Sequence, residues 1–211
     1  SIFSIYGGKR NGDLVVVGEG FDGQEAILLR ENEVMKPIPS IKMDGNYCEP
    51  FREIIYVCGP SGSGKSTWCA MYISSFVKLF PKKRVYIFSR LTEDEVLDAL
   101  NVVRIPINEE LINSPINIHT ECEEGCLFLF DDCDTIPDVA IRNAVMQLIK
   151  DILETGRHKN LYCLITSHLL TRRNNNENMT YYNELHRLVI FPRSGSNPAM
   201  SRVLERFFSL E

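Results

Sequence analysis

The chain has 211 residues, of which 44% are hydrophobic and 24% are charged, and its formal net charge is -5 at pH 7. These values fit one substantial globular domain with at most a small appendage, and they exclude a surface coated uniformly with basic residues for binding nucleic acid. Because no apolar run approaches the length that crosses a bilayer and no signal peptide is visible, we predict an intracellular protein without a transmembrane segment.

The cysteines agree with a reducing compartment. The chain has seven of them, and Cys58, Cys69 and Cys163 lie in or beside apolar segments, where small core residues are expected. Cys122 and Cys126 have a C-x-x-x-C spacing, but no second Cys or His pair stands at a zinc-like distance in the sequence. We therefore predict core thiols and no zinc site.

Residues 1–50 have a different pattern from the rest of the chain. Three short β-type runs, at 2–6, 14–17 and 26–29, are separated by Gly-Gly, Asn-Gly and Asp-Gly turn signals. Residues 35–50 are interrupted by prolines and predict an irregular connector. We predict a small β-rich region with a connector, which forms either its own subdomain or added strands at the edge of the main sheet.

From residue 51 to residue 211, strands and helices alternate. The predicted strands are 54–58, 84–89, 102–105, 126–130, 161–166 and 188–191, with a short edge strand at 116–119, and the longer predicted helices are 65–79, 138–155 and one that begins at 197. Such alternation predicts an α/β fold with a mainly parallel sheet and right-handed crossovers. The continuously apolar strands indicate that helices cover both faces of the sheet.

A phosphate-binding loop connects the first strand of this region to its first helix. The sequence Gly-Pro-Ser-Gly-Ser-Gly-Lys-Ser-Thr stands between them, which predicts a P-loop NTPase core over 51–211. Glycines let successive backbone N–H groups point inward at an anion, and the helix adds its positive end. We predict that Lys65 reaches the β- and γ-phosphates of ATP and that the Ser66 hydroxyl binds Mg²⁺. The predicted nucleotide-binding residues are Gly59, Pro60, Ser61, Gly62, Ser63, Gly64, Lys65, Ser66 and Thr67.

Asp131 and Asp132 follow the apolar strand 126–130, which is the Walker B pattern. Asp131 ends the strand opposite the phosphate loop and is predicted to hold Mg²⁺ through water. Asp132 follows directly, so we expect its side chain to point to the other side of the strand end, where it activates the attacking water as a general base. Many P-loop ATPases have the longer Glu here, so hydrolysis is expected to need a closed subunit interface.

Strand 161–166 ends in the polar residues Ser167 and His168. In P-loop proteins of the additional-strand class, one strand lies between the Walker A and Walker B strands, and its polar end senses the γ-phosphate or positions the water. Ser167 and His168 are therefore candidate sensors, and we place His168 among the catalytic residues. The alternative is a strand-end histidine that only bonds a loop.

A basic turn precedes that strand and contains Arg157, His158 and Lys159. Two interpretations of Arg157 stay open. Either it projects toward the nucleotide of a neighbouring subunit as an arginine finger, which stabilises transition-state charge. Or the turn is only the end of a helix, with Gly156 after its last turn and cations that complement the helix dipole.

Two other basic segments are candidates for contacts with nucleic acid phosphates. They are Lys82-Lys83-Arg84 and the polar segment 172–178, which begins with Arg172 and Arg173. Ordinary solvated surface is the alternative for both segments.

Together these motifs resemble the genome-packaging ATPases of large DNA viruses, which belong to the FtsK–HerA-like group of additional-strand P-loop motors. The resemblance rests on the phosphate loop, the aspartate pair and the basic turn that leads into the Ser167-His168 strand, and it covers about residues 54–210. It implies an oligomeric ring, a pentamer or hexamer, that hydrolyses ATP and translocates double-stranded DNA into a capsid. The family usually has Gln where this chain has His168.

The resemblance also implies partners and a location. The partners are double-stranded DNA, further copies of the chain and viral capsid or portal-vertex proteins, and the location is the assembly site in the host cytoplasm, or the virion. Two other function classes stay open. A nucleotide or small-molecule kinase shares the phosphate loop, although lid segments with clustered arginines are not evident, and a scaffold binds nucleotide without hydrolysing it. A GTPase is disfavoured because no Asn-Lys-x-Asp motif occurs.

Overall fold

The structure is a computed structural model, and it describes residues 2–5, 14–16, 27–29, 52–100, 102–168 and 181–191. The strands are β1 Ile2–Ile5, β2 Leu14–Val16, β3 Ile27–Leu29, β4 Ile54–Cys58, β5 Val85–Ser89, β6 Val103–Ile105, β7 Leu127–Asp131, β8 Tyr162–Ser167 and β9 Arg187–Ile190. The helices are α1 Lys65–Leu79, α2 Glu95–Asp98, α3 Glu110–Asn113, α4 Ile118–Glu121 and α5 Val139–Thr155. The 3₁₀ turns Cys133–Thr135 and Gly156–Lys159 flank α5. Within the described ranges, no helix is long and apolar enough to cross a membrane.

Six parallel strands form the main sheet in the order β9-β4-β8-β7-β5-β6. The predicted α/β fold with a parallel sheet is confirmed. So is the additional strand, because β8 pairs with both β4, which leads into the phosphate loop, and β7, which ends in the aspartates. All six carboxyl ends lie along one edge of the sheet, which we call the site edge, and all six amino ends lie along the opposite edge.

Helices cover both faces of the sheet, which explains why the strands are apolar throughout. Along β4, Ile54 and Tyr56 pack in one core with the apolar side of α5, whereas Ile55 and Val57 pack in the other core with α1. A fully buried side chain of this size stabilises the fold by about 1.5–3 kcal/mol. Because a slip of one residue would exchange the two faces of a strand, packing on both faces fixes the register that places the site residues.

The three N-terminal strands extend the sheet beyond β9. β1 pairs parallel with β9, and β2 and β3 follow as an antiparallel meander. This is one of the two arrangements that the sequence leaves open, and the domain boundary at residue 50 stays a prediction. The predicted connector 35–50, the polar segment 172–178 and the helix predicted from 197 lie outside the described residues.

The predicted edge strand at 116–119 is wrong, because the chain forms α4 there. The Asn117 side chain accepts a hydrogen bond from His119 N at 3.0 Å, and Glu121 Oε1 accepts one from Asn117 N at 3.0 Å. This reciprocal cap begins a helix at the point where the apolar pattern alone is ambiguous.

Candidate active site at the carboxyl edge of the sheet

The phosphate loop has a backbone path that requires its glycines. Gly62 and Gly64 have φ of 71° and 100°, in the left-handed region where a side chain is strained. Gly59 has another reason, because a Cβ atom there would lie 3.0 Å from the side chain of Phe191. The Ser63 hydroxyl is buried without a hydrogen-bond partner among the described residues, and no side chain caps the start of α1. Open polar groups at a glycine-rich helix start are suited to an anion.

Lys65 is the buried cation of the site. Its Nζ atom donates hydrogen bonds to the carbonyl oxygens of Gly59 at 2.9 Å and Pro60 at 3.4 Å. The same atom lies 3.5 Å from Asp132 Oδ2 and 3.5 Å from His168 Nδ1. The structure therefore joins three of the predicted catalytic residues, which come from the carboxyl ends of three neighbouring strands.

Asp131 is buried at the end of β7 and accepts two hydroxyl hydrogen bonds. Thr166 donates to its Oδ1 atom at 2.9 Å, and Ser89 donates to its Oδ2 atom at 3.1 Å. Burial raises the pKa of Asp131 above its usual value, and the nearby charge of Asp132 adds to this shift, while the two hydroxyls oppose it. The hydroxyls thus favour the ionised carboxylate that a metal ligand must be.

Asp132 does not continue the strand alternation that the sequence predicts. It adopts the left-handed conformation, with φ 47° and ψ 32°, so the chain turns sharply after Asp131. The turn brings Asp132 Oδ1 to 3.2 Å from the Thr166 hydroxyl that also contacts Asp131. The expectation that the two carboxylates point to opposite sides of the strand end is therefore wrong, because they converge on one hydroxyl.

The two candidate sensors point in different directions. His168 Nε2 lies 2.9 Å from Asp132 Oδ2 and its Nδ1 lies 3.5 Å from Lys65 Nζ, so the contacts favour a neutral ring that donates from Nε2 and accepts at Nδ1. The Ser167 hydroxyl instead donates to Asp134 Oδ2 at 3.0 Å. Strand alternation explains the difference, and it leaves His168 as the candidate that reaches the phosphate side.

Arg157 lies away from this cluster, at the opposite edge of the sheet. It belongs to the 3₁₀ turn before β8, whereas His168 follows β8, and six strand residues span roughly 20 Å. The Arg157 side chain is exposed. The helix end that Arg157 would complement in the second of the two interpretations is capped by Arg52, whose guanidinium donates to Ile152 O at 2.8 Å and Leu153 O at 2.9 Å. The Arg157 side chain therefore cannot contact the candidate active site of its own chain.

The basic segment 82–84 also lies at the opposite edge, and its cations are partly engaged. Lys83 Nζ donates to Glu124 O at 2.7 Å, and Arg84 pairs with Glu123 at 3.2 Å. These contacts favour the solvated-surface interpretation of this segment over a nucleic-acid contact.

The donor set suits a nucleotide with Mg²⁺ better than a metal centre made by the protein alone. Across the described part of the chain, no three His, Cys, Asp or Glu side chains form a group that could hold a metal ion. A magnesium ion instead uses one or two protein oxygens together with phosphate oxygens and water. Ser66 and Asp131 are the residues that would hold it, and backbone N–H groups of the phosphate loop together with the Ser63 hydroxyl would take the phosphates.

Thr166, Ser89 and Asp134 were not predicted from the sequence. Ser89 ends β5, and Thr166 stands next to the last residue of β8. Because parallel strands end at a common edge, a polar residue near the end of each strand is a usable signal for these two. Asp134 gives no such signal, since its contact with Ser167 depends on the turn at 133–135.

Comparisons with known proteins find similarity in sequence and in fold. No family model matches the chain. Over 193 residues it is 40% identical to "Uncharacterized protein V3" of Sputnik virophage, and the match covers 91% of this chain and 74% of that protein.

The fold is shared with B204, the DNA-packaging ATPase of Sulfolobus turreted icosahedral virus, with a TM-score of 0.51, 14% identity and coverage of 74% of this chain and 82% of the other. The B204 NTPase of Sulfolobus turreted icosahedral virus 2 in complex with AMPPCP has a TM-score of 0.48 at 16% identity, over 75% of this chain and 83% of the other. The chain shares the fold of the ATPase B204, and it belongs to the family of protein V3 of Sputnik virophage.

Proposed function

We propose that the chain is the Mg²⁺-dependent ATPase subunit of a ring that translocates double-stranded DNA into a viral capsid, with the capsid or portal vertex as its docking partner in the host cytoplasm. One observation carries the proposal: Lys65, Asp132 and His168 meet beside Asp131 at the site edge, while Arg157 is exposed at the opposite edge. Kinship with a virophage protein and a fold shared with a DNA-packaging ATPase support the viral setting.

In this proposal the site edge binds the nucleotide and activates the attacking water. The phosphate loop and Lys65 bind the β- and γ-phosphates, which compete with Asp132 for Lys65 Nζ. Asp132 Oδ2, held by His168 Nε2, accepts a proton from the water that attacks the γ-phosphorus, and the bond to the β-phosphate oxygen breaks to leave ADP and inorganic phosphate. Ser66 and, through water, Asp131 would hold Mg²⁺, which would neutralise charge on the phosphates.

The opposite edge supplies what the site lacks. An arginine finger stabilises the charge of the transition state, and Arg157 meets the site only when a second subunit stacks its opposite edge onto the site edge of the first. Such a contact is heterologous, and its repetition closes a ring when the rotation between neighbouring subunits closes; we propose a ring of five or six subunits.

The deciding experiment measures phosphate release by the full chain with and without double-stranded DNA. We expect Mg²⁺-dependent hydrolysis that DNA stimulates, and no hydrolysis by Asp132→Asn, which keeps the phosphate loop and serves as the matched control. Stoichiometric ATP binding without phosphate release, whether or not DNA is present, would instead indicate a scaffold. Transfer of the phosphoryl group to an added nucleotide acceptor would indicate a kinase.

A further inference from the structure

Thr166 occupies the centre of the site, although no motif marks it. Its side chain is 1% exposed, and its hydroxyl contacts three different groups. It accepts a hydrogen bond from Asp132 N at 2.8 Å, donates to Asp131 Oδ1 at 2.9 Å and lies 3.2 Å from Asp132 Oδ1. One buried hydroxyl therefore touches both carboxylates and the backbone that joins them.

The backbone at Asp132 needs such a partner. A residue with a side chain is disfavoured in the left-handed region, and the surrounding structure must hold it there. Two elements do so from opposite sides. Thr166 holds the Asp132 N–H, while Thr135 donates to Asp132 O through its N atom at 3.0 Å and its Oγ1 atom at 2.8 Å.

The left-handed turn decides where the carboxylate of Asp132 lies. Without it, the strand would continue and Asp132 would point away from the face that carries Asp131. With it, Asp132 Oδ2 lies 2.9 Å from His168 and 3.5 Å from Lys65. The hydroxyl proton of Thr166 also lies between the two negatively charged carboxylates. Removing this hydroxyl leaves the repulsion between the carboxylates uncompensated, and it leaves the Asp132 N–H without its hydrogen-bond acceptor.

We propose that Thr166 is a positioning residue, whose hydroxyl holds Asp132 in the turned conformation that aims its carboxylate at the phosphate side. The inference rests on the proposed ATPase function, in which Asp132 activates water. Thr166 itself contacts neither the water nor the nucleotide in this role.

The test compares Thr166→Val, which has the same shape without the hydroxyl, with Thr166→Ser, which keeps it. We expect Thr166→Val to lower kcat by about thirtyfold or more without weakening the binding of a fluorescent non-hydrolysable ATP analogue, which should tighten by up to about tenfold because the misplaced Asp132 no longer competes for Lys65. Thr166→Ser should recover kcat to within about threefold of the natural chain. An undiminished kcat in Thr166→Val would overturn the proposal, and so would a Thr166→Ser variant as slow as Thr166→Val. If Thr166→Val does not fold, the smaller Thr166→Ala replaces it.

A second readout does not depend on hydrolysis. Asp132→Asn removes a carboxylate that competes for Lys65, so it should tighten binding of the ATP analogue by about three- to tenfold. In a Thr166→Val background the same change should have almost no effect, because Asp132 has already left its position. In a Ser89→Ala background, which removes the other hydroxyl on Asp131 but has no contact with Asp132 among the described residues, the effect of Asp132→Asn should persist. Equal effects of Asp132→Asn in all three backgrounds would overturn the positioning role.

The two measurements, kcat and the affinity for the ATP analogue, distinguish the positioning role of Thr166 from the ATPase function on which it rests. A chain that hydrolyses no ATP, yet shows the coupling between Thr166 and Asp132 in analogue binding, contradicts the ATPase proposal and keeps the positioning role. A chain that hydrolyses ATP without this coupling keeps the function and removes Thr166 from it.

Discussion

The two edges of the sheet use polar side chains in different ways. At the site edge, Lys65, Asp132 and His168 contact one another in a partly exposed cluster. Lys65 donates its hydrogen bonds to loop carbonyl oxygens, which a ligand can replace as acceptors. At the opposite edge, a group of buried polar contacts supports the fold. Arg187 pairs with Glu53 at 2.9 Å, and the Tyr72 hydroxyl donates to the same carboxylate at 2.6 Å.

This difference between the edges indicates which arginine at the opposite edge is able to contact another subunit. Arg52 caps α5 from within the protein, so the helix end does not need the charge of Arg157. Burial lowers the pKa of Arg52, and the charge of Arg157 nearby is a further cause in the same direction. The fold uses Arg52 at this edge, whereas the Arg157 side chain is exposed there. The edges should accordingly respond differently to substitution.

Lys65→Ala tests the site edge. The loss of a charged donor to two phosphates should weaken ATP binding by about a hundredfold or more, since each such hydrogen bond contributes about 1.5–3 kcal/mol. Titration with a fluorescent ATP analogue measures this, with Arg157→Ala as the control that keeps the natural affinity. Retained micromolar affinity in Lys65→Ala would contradict the phosphate-loop assignment.

Arg157→Ala tests the opposite edge. On its own it should lower ATP hydrolysis by about a thousandfold, the usual effect of removing an arginine finger. Mixing it with Lys65→Ala should restore hydrolysis, because each inactive chain supplies what the other lacks at a shared contact. The rate of phosphate release over a series of mixing ratios gives the answer. A mixture that stays inactive at every ratio would count against a finger supplied by the neighbour.

Arg52→Met should affect stability and leave the nucleotide site alone. The carbonyls of Ile152 and Leu153 lose their donors, and we expect the free energy of unfolding to fall by about 2–4 kcal/mol. Urea unfolding measures this, and the affinity for an ATP analogue should stay within about twofold. Arg52→Lys is the matched control, and it should recover only part of the loss because an ammonium lacks the planar fork. Unchanged stability in Arg52→Met would show that the cap is dispensable.

The smallest effect is expected from His168→Gln. A glutamine amide can donate to Asp132 and accept from Lys65, as the neutral imidazole does, so kcat should stay within about threefold of the natural chain. His168→Leu keeps comparable bulk without either function, and its kcat should fall by about tenfold or more. If Gln and Leu give the same rate, the hydrogen bonds of His168 have no part in catalysis.

Much of the fold could be predicted because its signals are local. The phosphate loop, the apolar strands and the helix 138–155 each depend on neighbouring residues, and strand alternation with helices implies the parallel sheet. The edge strand predicted at 116–119 was wrong because so short an apolar run has no periodicity that distinguishes a strand from a helix. The hydrogen bond that the Asn117 side chain accepts from His119 N favours a helix there. The left-handed turn at Asp132 was missed because its partners, Thr166 and Thr135, become neighbours only through pairing of β7 with β8 and through the 3₁₀ turn.

The sequence by itself determined the chemistry: a glycine-rich loop with Lys65, two aspartates after an apolar strand, and a strand with a polar end. These depend on residue type and spacing, which local sterics and periodicity convert into a strand, a loop and a helix. Only the tertiary structure decided that Thr166 joins the two aspartates and that Arg157 lies across the sheet from its own site. Both follow from the order and direction of the strands, which packing on two faces of the sheet imposes and no short stretch of sequence specifies.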